Sequence, residues 1–308
     1  MDKVNVLYCF DSSLWRAVAV SIESLLTNAK PTTQVTIYCM VPPKTEGCKK
    51  INKIIKSHKK GAALVWREVK PAENPFNTPD YAMWHPLVFY RCIAHRFFTD
   101  IDKLLYLNPY TLIYQDLAEL FNTDISNYPL GAVYDMAPVT VQGSSLGALI
   151  RDFSIKYLKG GPYYNSGVLL LNLKKMAEAE HTLLEIRIPL RYPEQDLLNA
   201  AFVGKIRTLP LKYNLAPGIP IPPHFTKEEI EEINSGKHVI VDCYYTKPYD
   251  REHIHKLVYE TFAKYAKNIG MTPATFVKEE VKQAPVKKTF IRHISTRQNK
   301  ILFFGMEV

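Results

Sequence analysis

Polar side chains stand directly after several apolar segments of this chain, where predicted strands end. Ligands of an open α/β sheet bind at the carboxyl ends of the strands, so these positions are the first candidates for a binding or catalytic site. They supply carboxylates, amides and hydroxyls, which are hydrogen-bonding groups. The residues are Asp11 and Ser12 after the first strand, Asn108-Pro109-Tyr110 after the fourth, Asp135 after the fifth, and Asp242-Cys243-Tyr244-Tyr245 after the last.

Two common site chemistries are excluded by the absence of their motifs. The first strand-to-helix turn, Phe10-Asp11-Ser12-Ser13, contains no glycine, whereas the dinucleotide fingerprint and the P-loop both need glycine there for the backbone to approach phosphate. No G-x-S-x-G segment is present, which removes the usual hydrolase interpretation.

The five cysteines include no CxxC pair, so they indicate buried thiols in a reducing cytosol rather than a disulfide framework or a zinc site.

The elements that must position these side chains alternate between strand and helix. Strands are predicted at 1–10, 34–41, 62–69, 103–107, 130–134, 166–172 and 238–241. Helices are predicted at 14–26, 45–60, 86–98, 144–158, 173–186, 194–203 and 251–268, with Ser12 or Ser13 as the cap of the first and a short acidic helix from Thr226. This alternation predicts an α/β fold with a single, mostly parallel sheet covered by helices on both faces.

Composition predicts an ordinary globular chain. Its 308 residues are 47% hydrophobic and 22% charged, which excludes disordered, collagen-like and coiled-coil classes. No apolar run approaches the roughly 20 residues that span a bilayer, and the N-terminal segment does not resemble a signal peptide. We therefore expect a cytoplasmic protein with one domain over 1–270 and a tail over 271–308.

The tail carries much of the excess positive charge. From Lys282 onward there are six Lys and Arg against one Glu, which is +5 of the formal +9. Apolar residues such as Phe290 and Ile294 share one side of a notional helix, and basic amphipathic segments are typical of membrane-surface binders. We expect an anionic membrane as the partner, hence a location peripheral to the inner membrane. The alternatives are a flexible terminus without a partner and a terminus that docks on its own domain. Nucleic acid is a weaker alternative, because no recognised nucleic-acid-binding module accompanies the charge.

Five segments, in order, resemble glycosyltransferase family 8, the retaining enzymes that include glycogenin and bacterial lipopolysaccharide galactosyl- and glucosyltransferases. They are Tyr90-Arg91 with residues 102–107, then residues 131–135, 163–175, 194–199 and 247–249. The resemblance covers most of the chain and implies the GT-A fold, which binds nucleotide sugars.

The resemblance also implies roles for particular residues. Gln195 and Asp135 would be catalytic, with Gln195 beside the anomeric carbon and Asp135 on the sugar hydroxyls. The implied acceptor or sugar residue is Asp196. Tyr244 and Tyr245 are added as sugar residues because aromatic rings stack on sugars, with burial in the core as the equal alternative. The implied donor-binding residues are Asp11, Ser12, Arg91, Asn108, Tyr110, Asn165 and Lys247.

The chain departs from the family pattern at the metal site. The family's D-x-D motif reads Asn108-Pro109-Tyr110 here, and the position of its histidine ligand reads Asp242 or Cys243. Hard divalent cations prefer carboxylate oxygens, so we assign no metal ligand and expect no family-like manganese site. Mn²⁺ or Mg²⁺ stays compatible with the resemblance, although the usual ligands are absent.

Two functions remain open. In the first, the protein transfers glucose or galactose, with retention, from a UDP-sugar to a surface glycan such as lipooligosaccharide, without a tightly bound metal. Basic side chains such as Lys247 and Arg91 would then stabilise the leaving diphosphate. In the second, it is an inactive GT-A protein that binds a nucleotide sugar or a glycan.

Several of these residues also have purely structural interpretations. Asp11 and Ser12 could cap the first helix, and Asn108-Pro109-Tyr110 could be an ordinary turn. Glu194 and Asp196 could be acids favoured by a helix N-terminus.

Overall fold

The computed structural model describes residues 2–136, 145–217, 226–244 and 246–277. Its strands are β1 (Asp2–Cys9), β2 (Thr33–Val41), β3 (Ala63–Glu68), β4 (Lys103–Leu107), β5 (Thr111–Ile113), β6 (Leu130–Tyr134), β7 (Tyr164–Asn172), β8 (Ile206–Thr208) and β9 (Ile240–Asp242). Its helices are α1 (Trp15–Asn28), α2 (Cys48–Ser57), α3 (Ala118–Phe121), α4 (Ser145–Tyr157), α5 (Leu173–Glu178), α6 (Glu180–Glu185), α7 (Pro193–Ala201), α8 (Lys227–Asn234) and α9 (Lys256–Asn268).

The main sheet has seven strands in the order β3-β2-β1-β4-β7-β6-β8. The pairs β2–β3, β1–β2, β1–β4 and β6–β8 are parallel, whereas β7 runs antiparallel to both β4 and β6. In the centre, Val6 of β1 pairs with Leu105 of β4, and Leu105 pairs in turn with Leu170 of β7. The predicted α/β class and its mostly parallel sheet are confirmed.

Two hydrophobic clusters cover the two faces of this sheet. One contains Val6 and Tyr8 of β1 together with α1 and the apolar side of α2. The other contains Leu7 and Cys9 of β1 together with residues 87–98 and the apolar sides of α5, α6 and α7. Because neighbouring residues of β1 point to opposite faces and both faces are buried, the strand reads as a continuous apolar run from Val6 onward.

The last strand departs from the predicted single sheet. β9 pairs antiparallel with β5 in a separate two-stranded sheet, in which Thr111 faces Asp242 and Ile113 faces Ile240. β5 follows β4 directly, after the turn at Asn108-Pro109. Proline has no N–H to donate, so the ladder of β4 ends there and the chain turns away to pair with β9.

The predicted helix over 86–98 is wrong in type. The segment forms two 3₁₀ helices, Pro86–Cys92 and Ala94–Arg96. The Tyr90 hydroxyl donates to the carbonyl of Val69, and Arg91 Nη1 donates to the carbonyl of Ser166. A 3₁₀ helix repeats every three residues, which places Leu87, Tyr90 and Ile93 together on the core. Tertiary anchoring therefore overrides the α-helical interpretation.

The predicted cap of the first helix is also wrong. The residue before α1 is Leu14, and no side chain caps the helix. Asp11 Oδ1 instead accepts from the backbone N–H and the hydroxyl of Ser13, while the Ser12 hydroxyl accepts from the N–H of Glu46. Both side chains thus serve the loops at the end of β1.

The chain beyond α9 packs back on the domain as far as it is described. Phe276 is buried, stacks on Tyr249 with ring centres 5.4 Å apart, and meets Phe262 edge-on at 4.9 Å. The predicted amphipathic segment over 285–304 lies outside the described residues. In the described part of the chain, no helix combines the length and apolarity needed to cross a bilayer.

Candidate active site

Five polar side chains from distant parts of the sequence meet at the carboxyl end of the main sheet. They are Asp135 at the end of β6, Asn165 in β7, Gln195 in α7, Asn214 after β8, and Asp242 at the end of β9. Each is at most 7% exposed. Buried polar groups are costly unless they are hydrogen-bonded, so the partners of this cluster determine whether it is stable.

Asp135 is the centre of the cluster. Its Oδ2 accepts from Asn165 Nδ2 at 3.0 Å and from Gln195 Nε2 at 2.9 Å. Its Oδ1 faces the Tyr244 hydroxyl at 3.5 Å. Two amide donors on one oxygen hold the carboxylate in place, so the predicted residues Asp135, Asn165, Gln195 and Tyr244 are brought together.

The amide orientations follow from the other contacts. Asn165 Oδ1 accepts from the N–H of Gly167 and from Asn214 Nδ2, both at 2.8 Å. Gln195 Oε1 accepts from the N–H of Ser166 at 2.8 Å. Because each amide oxygen is already engaged by a donor, each amide nitrogen must point to Asp135.

Asp242 forms a second carboxylate beside this cluster. Asn108 Nδ2 lies 3.3 Å from both of its oxygens. Burial raises its pKa from 3.8 to about 7, against the lowering effects of the Asn108 hydrogen bond and of the positive charges on Arg91 and Lys247. The fit against β7 is close: a Cβ on Gly167 would stand 1.9 Å from Asp242 Oδ2. Glycine at 167 therefore makes room for this carboxylate.

The Asn108-Pro109-Tyr110 segment forms a turn at the end of β4. The backbone N–H and the hydroxyl of Thr111 both donate to the carbonyl of Asn108, which confirms the turn. The ammonium of Lys247 lies 4.0 Å from the ring centre of Tyr110, a cation–π contact. The structure thus brings three predicted donor-binding residues to one place.

This donor set does not fit a family-like divalent cation. Across the described ranges, no group of three His, Cys, Asp or Glu side chains is placed to hold a metal. The D-x-D position supplies an amide and a phenol, and the histidine position supplies the single carboxylate of Asp242, which Asn108 already engages. Hard cations favour several carboxylate oxygens, so these residues are a poor match for a resident Mn²⁺ or Mg²⁺.

Arg91 and Asp196 make extensive contacts within the protein. The Arg91 guanidinium lies 4.1 Å from the ring centre of Tyr106, donates to the carbonyl of Ser166 at 2.9 Å, and lies 3.4 Å from Glu194 Oε1. A contact of Arg91 with the donor stays a prediction.

The carboxylate of Asp196 organises the loop before α7. It accepts from the hydroxyl of Tyr163 and from the N–H groups of Arg191 and Tyr192. Burial raises its pKa, although these three hydrogen bonds oppose the shift. Its predicted role on the sugar also stays a prediction, and Tyr245 lies outside the described residues.

A cavity of ≈ 530 Å³ opens at the ends of β1 and β2. Asp11 and Ser12 line it, as expected for a ligand site at the strand ends. Sequence reasoning missed Asn74, Asn77 and His85, which line the same cavity. His85 Nε2 lies 3.8 Å from Asp11 Oδ2. The two asparagines belong to residues 70–79, whose prolines predict only a loop. Loops that cover strand ends often carry binding residues, so polar side chains in them are candidates for a site.

Comparison with known proteins agrees with this geometry. The family model described as "Glycosyl transferase family 8" matches residues 5–248. A lipopolysaccharide 1,2-glucosyltransferase of Escherichia coli (strain K12) is 26% identical over 219 residues, which are 68% of this chain and 62% of that protein. Galactinol synthase 6 of Arabidopsis thaliana is 25% identical over 247 residues, 72% of this chain and 70% of that protein.

A solved structure also shares the fold. The structure of the galactosyltransferase LgtC in complex with donor and acceptor sugar analogues superposes with a TM-score of 0.68 at 20% identity. The match covers 90% of this chain and all of that one. The expected GT-A fold is therefore confirmed.

Proposed function

The chain belongs to glycosyltransferase family 8, and from that premise we propose that it transfers glucose or galactose from a UDP-sugar to a surface glycan such as lipooligosaccharide. The Escherichia coli relative is a lipopolysaccharide glucosyltransferase, which supports both the sugar class and the acceptor class. The chain spans about three-fifths of that relative's length.

The buried cluster around Asp135 is the observation that carries the proposal. A carboxylate held by the amides of Asn165 and Gln195 is preorganised, so little reorganisation is needed when charge develops in a transition state. The Tyr244 hydroxyl lies 3.5 Å from Asp135 Oδ1, which is a long hydrogen bond. A sugar hydroxyl could therefore approach this oxygen more closely and donate to it. Folding alone does not require one carboxylate, two amides and one phenol to converge at the end of β6.

The reaction exchanges one bond at the anomeric carbon for another. The bond from that carbon to the diphosphate oxygen breaks, and the bond to the acceptor oxygen forms on the same face, as the family's retention implies. The acceptor's proton passes to the departing diphosphate. Gln195 lies beside the oxocarbenium-like centre and Asp135 holds the sugar hydroxyls, so neither needs to form a covalent bond to the sugar.

Lys247 is proposed to stabilise the leaving diphosphate without a tightly bound metal. Tyr110 stands at the second acidic position of the family motif, and its ring contacts the Lys247 ammonium. Replacing carboxylates by Asn108 and Tyr110 removes negative charge next to the diphosphate. The lysine ammonium then suffices, whereas a site with two carboxylates would need a metal cation to offset their repulsion of the diphosphate.

The nucleotide part of the donor is assigned to the cavity at the ends of β1 and β2. Its lining combines the carboxylate of Asp11 and the hydroxyl of Ser12 with the apolar surface of Leu87 and Val69. A site that mixes apolar walls with a few polar groups is typical for small ligands.

We also propose that the 271–308 tail holds the protein at the cytoplasmic face of the inner membrane. The support is its sequence charge, +5 from residue 282 onward. A chain ended after residue 277 should bind vesicles that contain an anionic phospholipid more weakly than the full chain. Equal binding would contradict this part of the proposal.

Donor hydrolysis tests the proposed reaction. Purified protein is incubated with UDP-glucose or UDP-galactose, once with Mn²⁺ and once with a chelator, and free UDP is measured. Release of UDP in chelator supports transfer without a tightly bound metal. Donor binding without turnover for any acceptor would support the inactive binding protein instead, and no binding of any nucleotide would contradict both functions.

A further inference from the structure

A lysine-rich segment surrounds α2, away from the candidate active site. Residues 44–60 contain seven lysines, one glutamate and no arginine, which is 7 − 1 = +6. Together with the +5 of the tail this exceeds the formal +9 of the whole chain, so the remainder of the protein carries 9 − 11 = −2. The positive charge is therefore concentrated in two segments.

Four of these lysines form what we call the lysine surface: Lys49, Lys53, Lys56 and Lys59. All four are exposed, while Ile51 and Ile55 on the other side of α2 are buried in the core. In the described part of the chain, no carboxylate forms an ion pair with any of the four.

The spacing of these lysines brings like charges together. Lys49 and Lys53 are four residues apart, and Lys53 and Lys56 are three apart, so their side chains are neighbours on one helix face. Like charges at this spacing destabilise a helix. A surface that keeps such repulsion without internal carboxylates is suited to an external anionic partner.

A groove next to the lysine surface extends the same charge. It measures ≈ 810 Å³, lies between α1, α2 and the end of α9, and is lined by Lys50, Lys53 and Lys59. The one acid in its lining, Glu23, is buried and accepts from Asn268 Nδ2 at 2.9 Å. The negative charge of Glu23 is thus engaged inside the protein, whereas the side chains of Lys53 and Lys59 are exposed.

We propose that the lysine surface and this groove dock on an anionic phospholipid bilayer. Lysine is a compact, hydrated point charge on a flexible stem, which suits a diffuse layer of headgroups, whereas arginine suits bidentate recognition and is absent from the segment. Each lysine near an anionic leaflet strengthens partitioning about fivefold, so four lysines give a substantial affinity. The docking does not depend on the proposed reaction.

Continuity with the rest of the chain favours a bilayer over nucleic acid. Ile269 and Met271 line the same groove, so the segment that leads from α9 toward the basic tail begins beside the lysine surface. Aromatic side chains interleaved with the charges would be expected for binding of single-stranded nucleic acid, and residues 44–60 contain none.

Docking along α2 also brings the cavity at the ends of β1 and β2 closer to the bilayer than the cluster around Asp135. The N–H of Glu46, just before α2, donates to the Ser12 hydroxyl at 2.8 Å, and Ser12 lines the cavity at the end of β1. If the proposed function holds, a glycolipid acceptor in the same bilayer would lie beside the donor.

The test is co-sedimentation of the full chain with vesicles of phosphatidylcholine, with and without phosphatidylglycerol. The test variant carries Lys→Gln at all four positions of the lysine surface. The control variant removes the same charge from exposed lysines elsewhere: Lys174, Lys205, Lys227 and Lys237.

We expect the test variant to bind anionic vesicles about 600-fold more weakly than the wild type, which is fivefold for each of four lysines, and the control to stay within about fivefold. Thermal unfolding and donor hydrolysis in solution should be unchanged in both, which separates this result from a failure of the proposed reaction. Equal binding by the two variants, or wild-type binding that does not require phosphatidylglycerol, would overturn the proposal. Tighter binding of duplex DNA than of vesicles, lost with the same four lysines, would assign the surface to nucleic acid instead.

Discussion

The cluster around Asp135 and the lysine surface of α2 are both polar, but they are built on opposite principles. In the cluster, the Asp135 carboxylate, side-chain amides and backbone N–H groups are hydrogen-bonded at 2.8–3.0 Å, and the amides of Asn165 and Gln195 each have one possible orientation. On the lysine surface, exposed ammonium groups repel one another in water. A buried hydrogen bond acts in a low dielectric, where the position of one atom matters, whereas exposed charges are screened beyond about 8 Å. We therefore expect single substitutions to disable the first region and only the sum of charges to matter in the second.

The largest effect is expected from Asp135→Asn. The amide oxygen of asparagine can replace Oδ2 and still accept from Asn165 and Gln195, so the cluster keeps its geometry and loses only its charge. We expect kcat of transfer to fall about 100-fold or more, as when a preorganised transition-state contact is removed. The free energy of unfolding should change by no more than about 1 kcal/mol.

Kinetic assays and urea unfolding measure the two quantities on the same preparation. The exposed Asp100→Asn substitution removes the same charge elsewhere and should leave kcat unchanged. An Asp135→Asn protein with full activity would remove Asp135 from the mechanism and would weaken the contrast between the two regions.

The next effect is expected from Asp242→Asn; it concerns stability rather than activity, and it depends on pH. The folded-state pKa of Asp242 is raised to about 7, so between pH 4 and 7 the native state keeps a proton that the unfolded state has lost. Stability contributed by this group therefore falls as pH rises through that window and is constant above it. Asparagine mimics the protonated acid and does not titrate.

Urea unfolding at several pH values tests this prediction. The difference in unfolding free energy, variant minus wild type, should grow from pH 4 to 7 and reach roughly 4 kcal/mol at most at pH 8. Asp100→Asn serves again as the control and should show no such growth. A difference that is independent of pH would mean that burial does not control this carboxyl group.

The smallest effect is expected from Lys53→Gln on the lysine surface. One charge out of four should weaken binding to anionic vesicles about fivefold, and the difference should vanish in about 0.5 M salt because the charges are screened. The free energy of unfolding should stay within about 0.5 kcal/mol of the wild type. Lys205→Gln is the matched control. A single substitution that abolished binding would indicate one specific headgroup site and would break the comparison.

Sequence reasoning predicted most of the site because its residues follow strand ends. Asp135, Asn108 and the Asp242 segment were recognised from their positions after apolar runs, and the family resemblance added Asn165, Gln195 and Lys247. The structure places all of these at one end of the sheet. The lysine surface was missed because charge was counted for the tail against the rest, which averaged the +6 of residues 44–60 with a slightly acidic remainder.

Some features could not be read from local patterns. The 3₁₀ geometry of residues 86–96 depends on the contacts of Tyr90 and Arg91 with Val69 and Ser166, which are far away in sequence. The short strands β5 and β8 have three residues each, too few to show a period. The cap predicted for α1 failed because Ser12 and Asp11 found partners in other loops.

The sequence by itself determined the α/β alternation, the family and the strand ends at which polar residues stand, because apolar periodicity and motifs are local properties of the chain. Only the tertiary structure decided which of these residues meet. Asn108 and Asp242 are 134 residues apart, and Asp135 and Gln195 are 60 apart. Their hydrogen bonds, the raised pKa of Asp242 and the space beside Gly167 all arise from burial, and burial exists only once the strands have been brought side by side.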